Sequence, residues 1–141
     1  MNEIITFLFA DDQIVTTSML LVLIALLIGN IITDIFRKYE IIDIKAAIDL
    51  MDDKDNLILL DVREKKERSD GYLEGDKHIP LSSVKDQLGS LDKNKKVLVY
   101  CRTGSRSGHI AGLLTRNGFE QVYNLKGGIN AWKRAKLPFK T

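Results

Sequence analysis

Between Gln13 and Thr33 the chain carries no charged residue for 21 consecutive positions. No other feature restricts the fold as strongly. The centre of this run, Met19 to Ile28, is wholly apolar (MLLVLIALLI). A helix of that length extends ~31 Å at ~1.5 Å per residue, close to the ~30 Å hydrocarbon core of a bilayer. A helix also satisfies its own backbone N–H and C=O groups, which lipid cannot do. A cleavable signal peptide would need a basic start and a small-residue cleavage site. Here the start is acidic, and Gly29–Asn30–Ile31–Ile32 offers no such site. A buried core helix is the other reading, but a run this long without charge is unusual in a small domain. The run predicts one transmembrane helix over residues 13–33, after a short tail at 1–12 and before a juxtamembrane linker at 34–38.

Charge divides the chain at the same place. Residues 1–36 hold Glu3, Asp11, Asp12 and Asp34 and no Lys or Arg, a sum of −4. Residues 37–141 hold all 21 Lys and Arg against 15 acids, a sum of +6. Arg37, Lys38 and Lys45 come soon after the run, so the positive-inside rule predicts a single-pass cell-membrane protein with its C-terminal part in the cytoplasm. Ile4, Ile5, Phe7, Leu8 and Phe9 are suited to the outer interface. The overall charge of +2 is too small to suggest a nucleic-acid partner. One cysteine, Cys101, excludes an internal disulfide and any multi-cysteine metal site, and two isolated histidines give no metal spacing. No metal or cofactor is expected.

The remaining residues, 39–141, read as one domain of alternating strands and helices. Tyr39 to Ile42 suits an edge strand. Asp43 is an N-cap for a helix with Ile44, Ala47, Ile48 and Met51 on one face. Leu57–Leu60 and Val97–Tyr100 are continuous apolar runs, as in strands covered on both sides. Glu64 to Asp70 is charged and helix-compatible, and Gly71 and Gly75 punctuate a loop to His78–Ile79–Pro80. Ser83 is a candidate cap for a helix with Val84 and Leu88. Ser107 to Asn117 carries an apolar stripe of Ile110, Ala111, Leu113 and Leu114 and ends at Gly118. Val122–Leu125 reads as a strand, Gly127–Gly128 as a turn, and Ile129–Ala135 as a last helix containing Trp132. This alternation predicts an α/β fold, a parallel sheet flanked by helices on both faces. Ligands in such sheets bind beyond the carboxyl ends of the strands, which directs attention to the residues just after Asp61 and Tyr100.

After Tyr100 come Cys101, Arg102, Thr103, Gly104, Ser105, Arg106 and Ser107. A short glycine-containing loop between a strand and a helix turns successive N–H groups inward as an anion-binding nest. A cysteine at its rim has its thiolate favoured by those amides, by the helix dipole and by Arg102 and Arg106. A lone cysteine after a buried strand is most often a small core hydrophobe. Two guanidinium neighbours suit such a position poorly, so the loop as a whole favours a reactive, anion-site sulfur.

These residues resemble the rhodanese family, and the resemblance extends over residues 40–139. Cys101–Ser107 (CRTGSRS) is similar to the family's C-R-x-G-x-R-S loop, and Leu60–Glu64 (LDVRE) to its D-V-R-E box. Gly71–Leu81 (GYLEGDKHIPL) is similar to G-H-I-x-G-A-x-x-I-P-L. Gly118–Phe119, Leu125–Trp132 (LKGGINAW) and Leu137–Pro138 resemble the C-terminal signature. Tyr72 stands where the family usually has histidine and Asp76 where it usually has alanine, departures that bear on packing near the site more than on catalysis.

The resemblance implies a rhodanese-like domain behind a membrane anchor, acting as a persulfide sulfurtransferase. Cys101 would take the outer sulfur of thiosulfate, or of another sulfane-sulfur donor, and pass it to a thiol, a protein or cyanide. The loop residues Arg102 to Ser107 would bind the donor and stabilise the persulfide, with Arg106 and Arg102 attracting the anion. Asp61 and Arg63 are carried over as structural or electrostatic supports, the alternative being a surface or loop-tying ion pair. In this family the phosphatase-type loop is Cys-x5-Arg. Here Arg106 completes Cys-x4-Arg, which favours sulfur transfer. Two other functions compete: a rhodanese-fold binding module that recruits a partner at the membrane, and a thiol redox sensor, for which this loop supplies an exposed low-pKa cysteine but no neighbouring resolving thiol. The lipid bilayer is an expected partner, and the basic stretches Lys93–Lys96 and Lys133–Lys136 read as solvated faces.

Overall fold

Val97–Tyr100 is apolar at every position because both faces of its strand are covered. The structure, a computed structural model, describes residue 3 and residues 11–35 and 38–141. It divides into two units, Met1–Arg37 and Lys38–Thr141. Ile4, Ile5, Phe7, Leu8, Phe9 and Arg37, to which the sequence gives roles at the membrane, lie outside the described residues.

The C-terminal unit contains β1 (Glu40–Ile42), β2 (Leu57–Asp61), β3 (Lys77–His78), β4 (Lys96–Tyr100) and β5 (Val122–Leu125). They form one parallel five-stranded sheet in the order β1-β5-β4-β2-β3. With α1 taken as Asp11–Ile35, the helices of this unit are α2 (Ile44–Met51), α3 (Leu81–Gln87), α4 (Ser105–Arg116) and α5 (Gly128–Arg134). This is the α/β fold expected from the alternation of apolar runs, with β1 at the sheet edge.

Successive strand side chains point to opposite faces. Val97, Val99 and Cys101 join Val84 of α3 and Ile110, Ala111 and Leu114 of α4 in one apolar cluster. Leu98 and Tyr100 join Ala47 of α2 and Ile129 and Trp132 of α5 in another. Each fully buried aliphatic side chain contributes about 1.5–3 kcal/mol, so the sheet holds both helix layers. Asp43 caps α2 as its position implies, accepting a hydrogen bond from the Ala46 N–H at 2.9 Å.

Local details depart from the sequence reading. Lys65–Asp70 is a 3-10 segment whose entry is held by reciprocal bonds between Glu64 and Glu67. The helix expected from Ser83 begins at Leu81, directly after Pro80, whose fixed φ suits a helix entry. The helix expected from Ser107 begins at Ser105, because Gly104 turns the chain at φ 102°. His78 belongs to the short strand β3, and its Nε2 lies 2.6 Å from the Arg63 carbonyl oxygen.

In the N-terminal unit, α1 is 25 residues long. Its stretch Gln13–Ile32 has no buried residue and is long and apolar enough to cross a membrane. The hydroxyls of Thr16 and Ser18 donate to the carbonyls of Gln13 and Val15, each at 2.9 Å, so they need no outside partner.

Candidate active site

The site is built at the carboxyl end of β4, where the alternation of the strand separates two neighbours. Tyr100 points to the α2/α5 side and Cys101 to the α3/α4 side. Beyond Cys101 the chain must reverse quickly into α4. Gly104 makes this possible in a left-handed conformation, and its N–H donates to Cys101 Sγ at 3.1 Å. The Ser107 hydroxyl lies 3.3 Å from the same sulfur. Burial pushes the Cys101 thiol up, but the Ser107 hydroxyl and the N–H groups of Ser107, Gly104 and Thr103 outweigh it, so its pKa lies below that of a free thiol.

The donors are themselves held. Ser107 Oγ donates to Asn124 Oδ1 at 2.6 Å, and Asn124 Nδ2 donates to the Gly104 carbonyl at 3.0 Å. Asn124, on the neighbouring strand β5, thus ties both ends of the loop. The Ser107 hydroxyl has one proton, which serves Asn124 or Cys101 Sγ but not both fully. The loop carbonyls are also fixed from α5: the Ile129 N–H donates to Cys101 O at 2.9 Å and the Asn130 N–H to Arg102 O at 3.1 Å. This approach requires glycine at 128, where φ is 58° and a Cβ would run into the Cys101 carbonyl oxygen and Arg102.

Arg102 and Arg106 flank the sulfur, but their guanidiniums turn to Glu67. Arg106 makes a bidentate pair with it at 2.6 and 2.7 Å, and Arg102 Nε lies 3.4 Å from Oε1. The donors that hold the sulfur are therefore amides and a hydroxyl.

Asp61 and Arg63 lie on the far side of the strand from the sulfur. Asp61 is paired across the sheet with Tyr100, and both Asp61 and Arg63 are buried. Arg63 donates to both Asp61 oxygens and to the Gly71 carbonyl. Burial of Asp61 pushes its pKa up, yet the hydrogen bonds from Arg63 leave it below the usual carboxylate range. The two family departures complete this network. Asp76 accepts two bonds from Arg68 and one from the Tyr100 hydroxyl, and Arg68 stacks over the Tyr72 ring at 4.2 Å. Tyr72 and Asp76 thus form one unit with Arg68.

The sequence profile of the rhodanese-like domain matches residues 43–135, most of the C-terminal unit. The chain belongs to the rhodanese-like domain family. It is 31% identical over 97 residues to a sulfurtransferase of Allochromatium vinosum, covering 69% of this chain and 91% of that one. It is 32% identical over 80 residues to the thiosulfate sulfurtransferase GlpE of Coxiella burnetii, covering 57% of this chain and 75% of that protein. The crystal structure of a rhodanese-related protein from Thermoplasma volcanium superposes with a TM-score of 0.63 at 31% identity, covering 72% of this chain and 97% of that one. Curated relatives are matched over 49% to 91% of their own length, and one uncharacterized Bacillus subtilis relative over 59%.

Within this rhodanese-like domain, Cys101, Thr103, Gly104 and Ser107 converge on one sulfur, whereas Asp61 and Arg63 serve the wall behind it. Cys101 is only 1% exposed, so it is not the exposed cysteine that the sequence reading expects. Glu67 and Asn124 beside the loop, and Arg68 and Tyr100 in the wall behind it, are residues that the sequence reading does not single out. The Glu64-x-x-Glu67 capping spacing and a polar Asn124 inside the run Val122–Leu125 are the available signals. A cavity of about 370 Å³ between α2, Leu73, Trp132 and Phe139 is lined by none of the loop residues.

Proposed function

We propose that this protein is a membrane-tethered sulfurtransferase working through a Cys101 persulfide. The observation that carries this reading is the Cys101 sulfur itself, seated among the N–H groups of the Cys101–Ser107 loop with Gly104 N at 3.1 Å. The Cys101 thiolate attacks the outer sulfur of thiosulfate. A new S–S bond forms, the sulfur–sulfur bond of the donor breaks, and sulfite leaves with the electron pair. An acceptor thiolate or cyanide then takes the outer sulfur, and Cys101 returns as the thiolate that starts the next turn. The amides of Thr103, Gly104 and Ser107 supply fixed dipoles for the charge on both the thiolate and the persulfide. Similarity to the Allochromatium sulfurtransferase and the Coxiella thiosulfate sulfurtransferase supports sulfur transfer, and the latter supports thiosulfate as donor.

The exposed apolar stretch Gln13–Ile32 supports the tether, and Lys38 and Lys45 support a cytoplasmic domain. The burial of Cys101 favours a second reading, a rhodanese-fold binding module with little turnover. One experiment separates them: the full-length protein in neutral detergent is mixed with thiosulfate, sulfite is measured, and the intact mass is read. Sulfur transfer gives sulfite and one added sulfur atom, both lost in Cys101→Ala. Neither signal from the unsubstituted protein would leave the binding module.

A further inference from the structure

Glu67, 39 residues before Arg106, and Asp70 together match the two cations of the active loop. Its carboxylate fills the N–H fork of Arg106 at 2.6 and 2.7 Å and lies 3.4 Å from Arg102 Nε. Arg102 Nη2 is also 3.8 Å from Asp70 Oδ2. Glu67 is held in place from behind, accepting the Glu64 N–H at 3.0 Å. The hydrogen bonds from Arg106 hold its carboxyl at about 2, so it is charged at every working pH. The side chains of Arg106 and Arg102 are 37% and 50% exposed, open to an arriving anion. The fork of a guanidinium that already holds a carboxylate is the same fork an incoming oxyanion would use.

We propose that Glu67 is a specificity-determining residue, a built-in counter-anion that disfavours dianionic sulfur donors and shifts the loop toward donors of lower negative charge. This rests on the sulfurtransferase reading and refines its substrate class. The repulsion between Glu67 and a donor scales with the donor's charge. Two donors separate charge from chemistry. Thiosulfate carries two negative charges and releases sulfite. Methanethiosulfonate carries one, presents the same outer sulfur, and releases methanesulfinate. In both, Cys101 gains one sulfur and the leaving group keeps the electron pair.

The test measures sulfur loading of the full-length protein in neutral detergent with each donor, using the unsubstituted protein and Glu67→Gln. The amide keeps the size of the side chain and still accepts a bond from Arg106. KM for thiosulfate should fall roughly tenfold and KM for methanethiosulfonate roughly threefold, the square root expected for half the charge, with kcat little changed. Equal changes for the two donors, or an unchanged KM for thiosulfate, would show that Glu67 only braces Arg106 and would overturn the proposal. Should the variant not fold, the unsubstituted protein decides by salt. A mouth whose cations are already neutralised predicts a thiosulfate KM insensitive to ionic strength, and a KM that climbs steeply with salt would reject it. If the unsubstituted protein takes sulfur from neither donor, the sulfurtransferase reading fails and this one falls with it.

Discussion

Tyr100 donates its hydroxyl proton to the Asp76 carboxylate at 2.5 Å, on the opposite side of β4 from the Cys101 sulfur next door. The same oxygen accepts the Leu73 N–H at 3.1 Å. One phenol thus ties the loop that carries both family departures to the strand that presents Cys101.

Tyr100→Phe leaves the buried Leu73 N–H without its acceptor and removes a donor from Asp76. The expected loss is about 1–3 kcal/mol of folding stability, read from denaturant melts. Because the ring faces away from Cys101, sulfur loading per folded molecule should remain near that of the parent. A variant as stable as the parent would show that water replaces the hydroxyl at no cost.

Ser107→Ala removes the hydroxyl that lies 3.3 Å from Cys101 Sγ. With one donor fewer, less of the thiol is ionised at a given pH, so the acid limb of the loading rate moves to higher pH. A hydrogen bond to a charged group contributes about 1.5–3 kcal/mol, so loading on that limb should slow roughly tenfold or more. Asn124→Ala, by contrast, frees the single Ser107 proton for Sγ and should move the profile toward lower pH. A Ser107→Ala profile superimposable on the parent's would count against the hydroxyl's role.

Acid should destabilise the fold partly through Glu67. Its carboxyl is held at about 2, against an ordinary value of 4.5, chiefly by the hydrogen bonds of Arg106. The folded state binds the proton less readily than the unfolded chain, so this stabilisation is complete above pH 4.5 and is lost as pH falls toward 2. Asp61, also held low, acts in the same direction. Urea midpoints across this range should fall less steeply for Glu67→Gln than for the parent. Equal slopes would assign the acid loss to Asp61 and the other carboxylates.

Most of the fold can be read along the chain because burial on both faces leaves a local mark. Leu57–Leu60 and Val97–Tyr100 are unbroken apolar runs, and Asp43 sits one residue before a helical stripe. The apolar stripe alone places the entry to α4 two residues late, because Gly104, whose left-handed turn starts the helix early, leaves only a single letter as its signal. Cys101 and its loop are legible for the same local reason, since the nest is made by consecutive residues. Arg102 and Arg106 read as free cations because nothing near them in the chain announces a carboxylate.

The charge-free run, the succession of strands and helices, and the loop that cups the sulfur are properties of contiguous residues, so the sequence alone determined them. Pairings between distant side chains were decided only by the folded sheet. Glu67 meets Arg106 across 39 positions, Tyr100 meets Asp76 across 24, and Ser107 meets Asn124 across 17. Strand order and register bring these groups within hydrogen-bond reach. A charge or a hydroxyl carries no record, in its own neighbourhood, of which partner that geometry will supply.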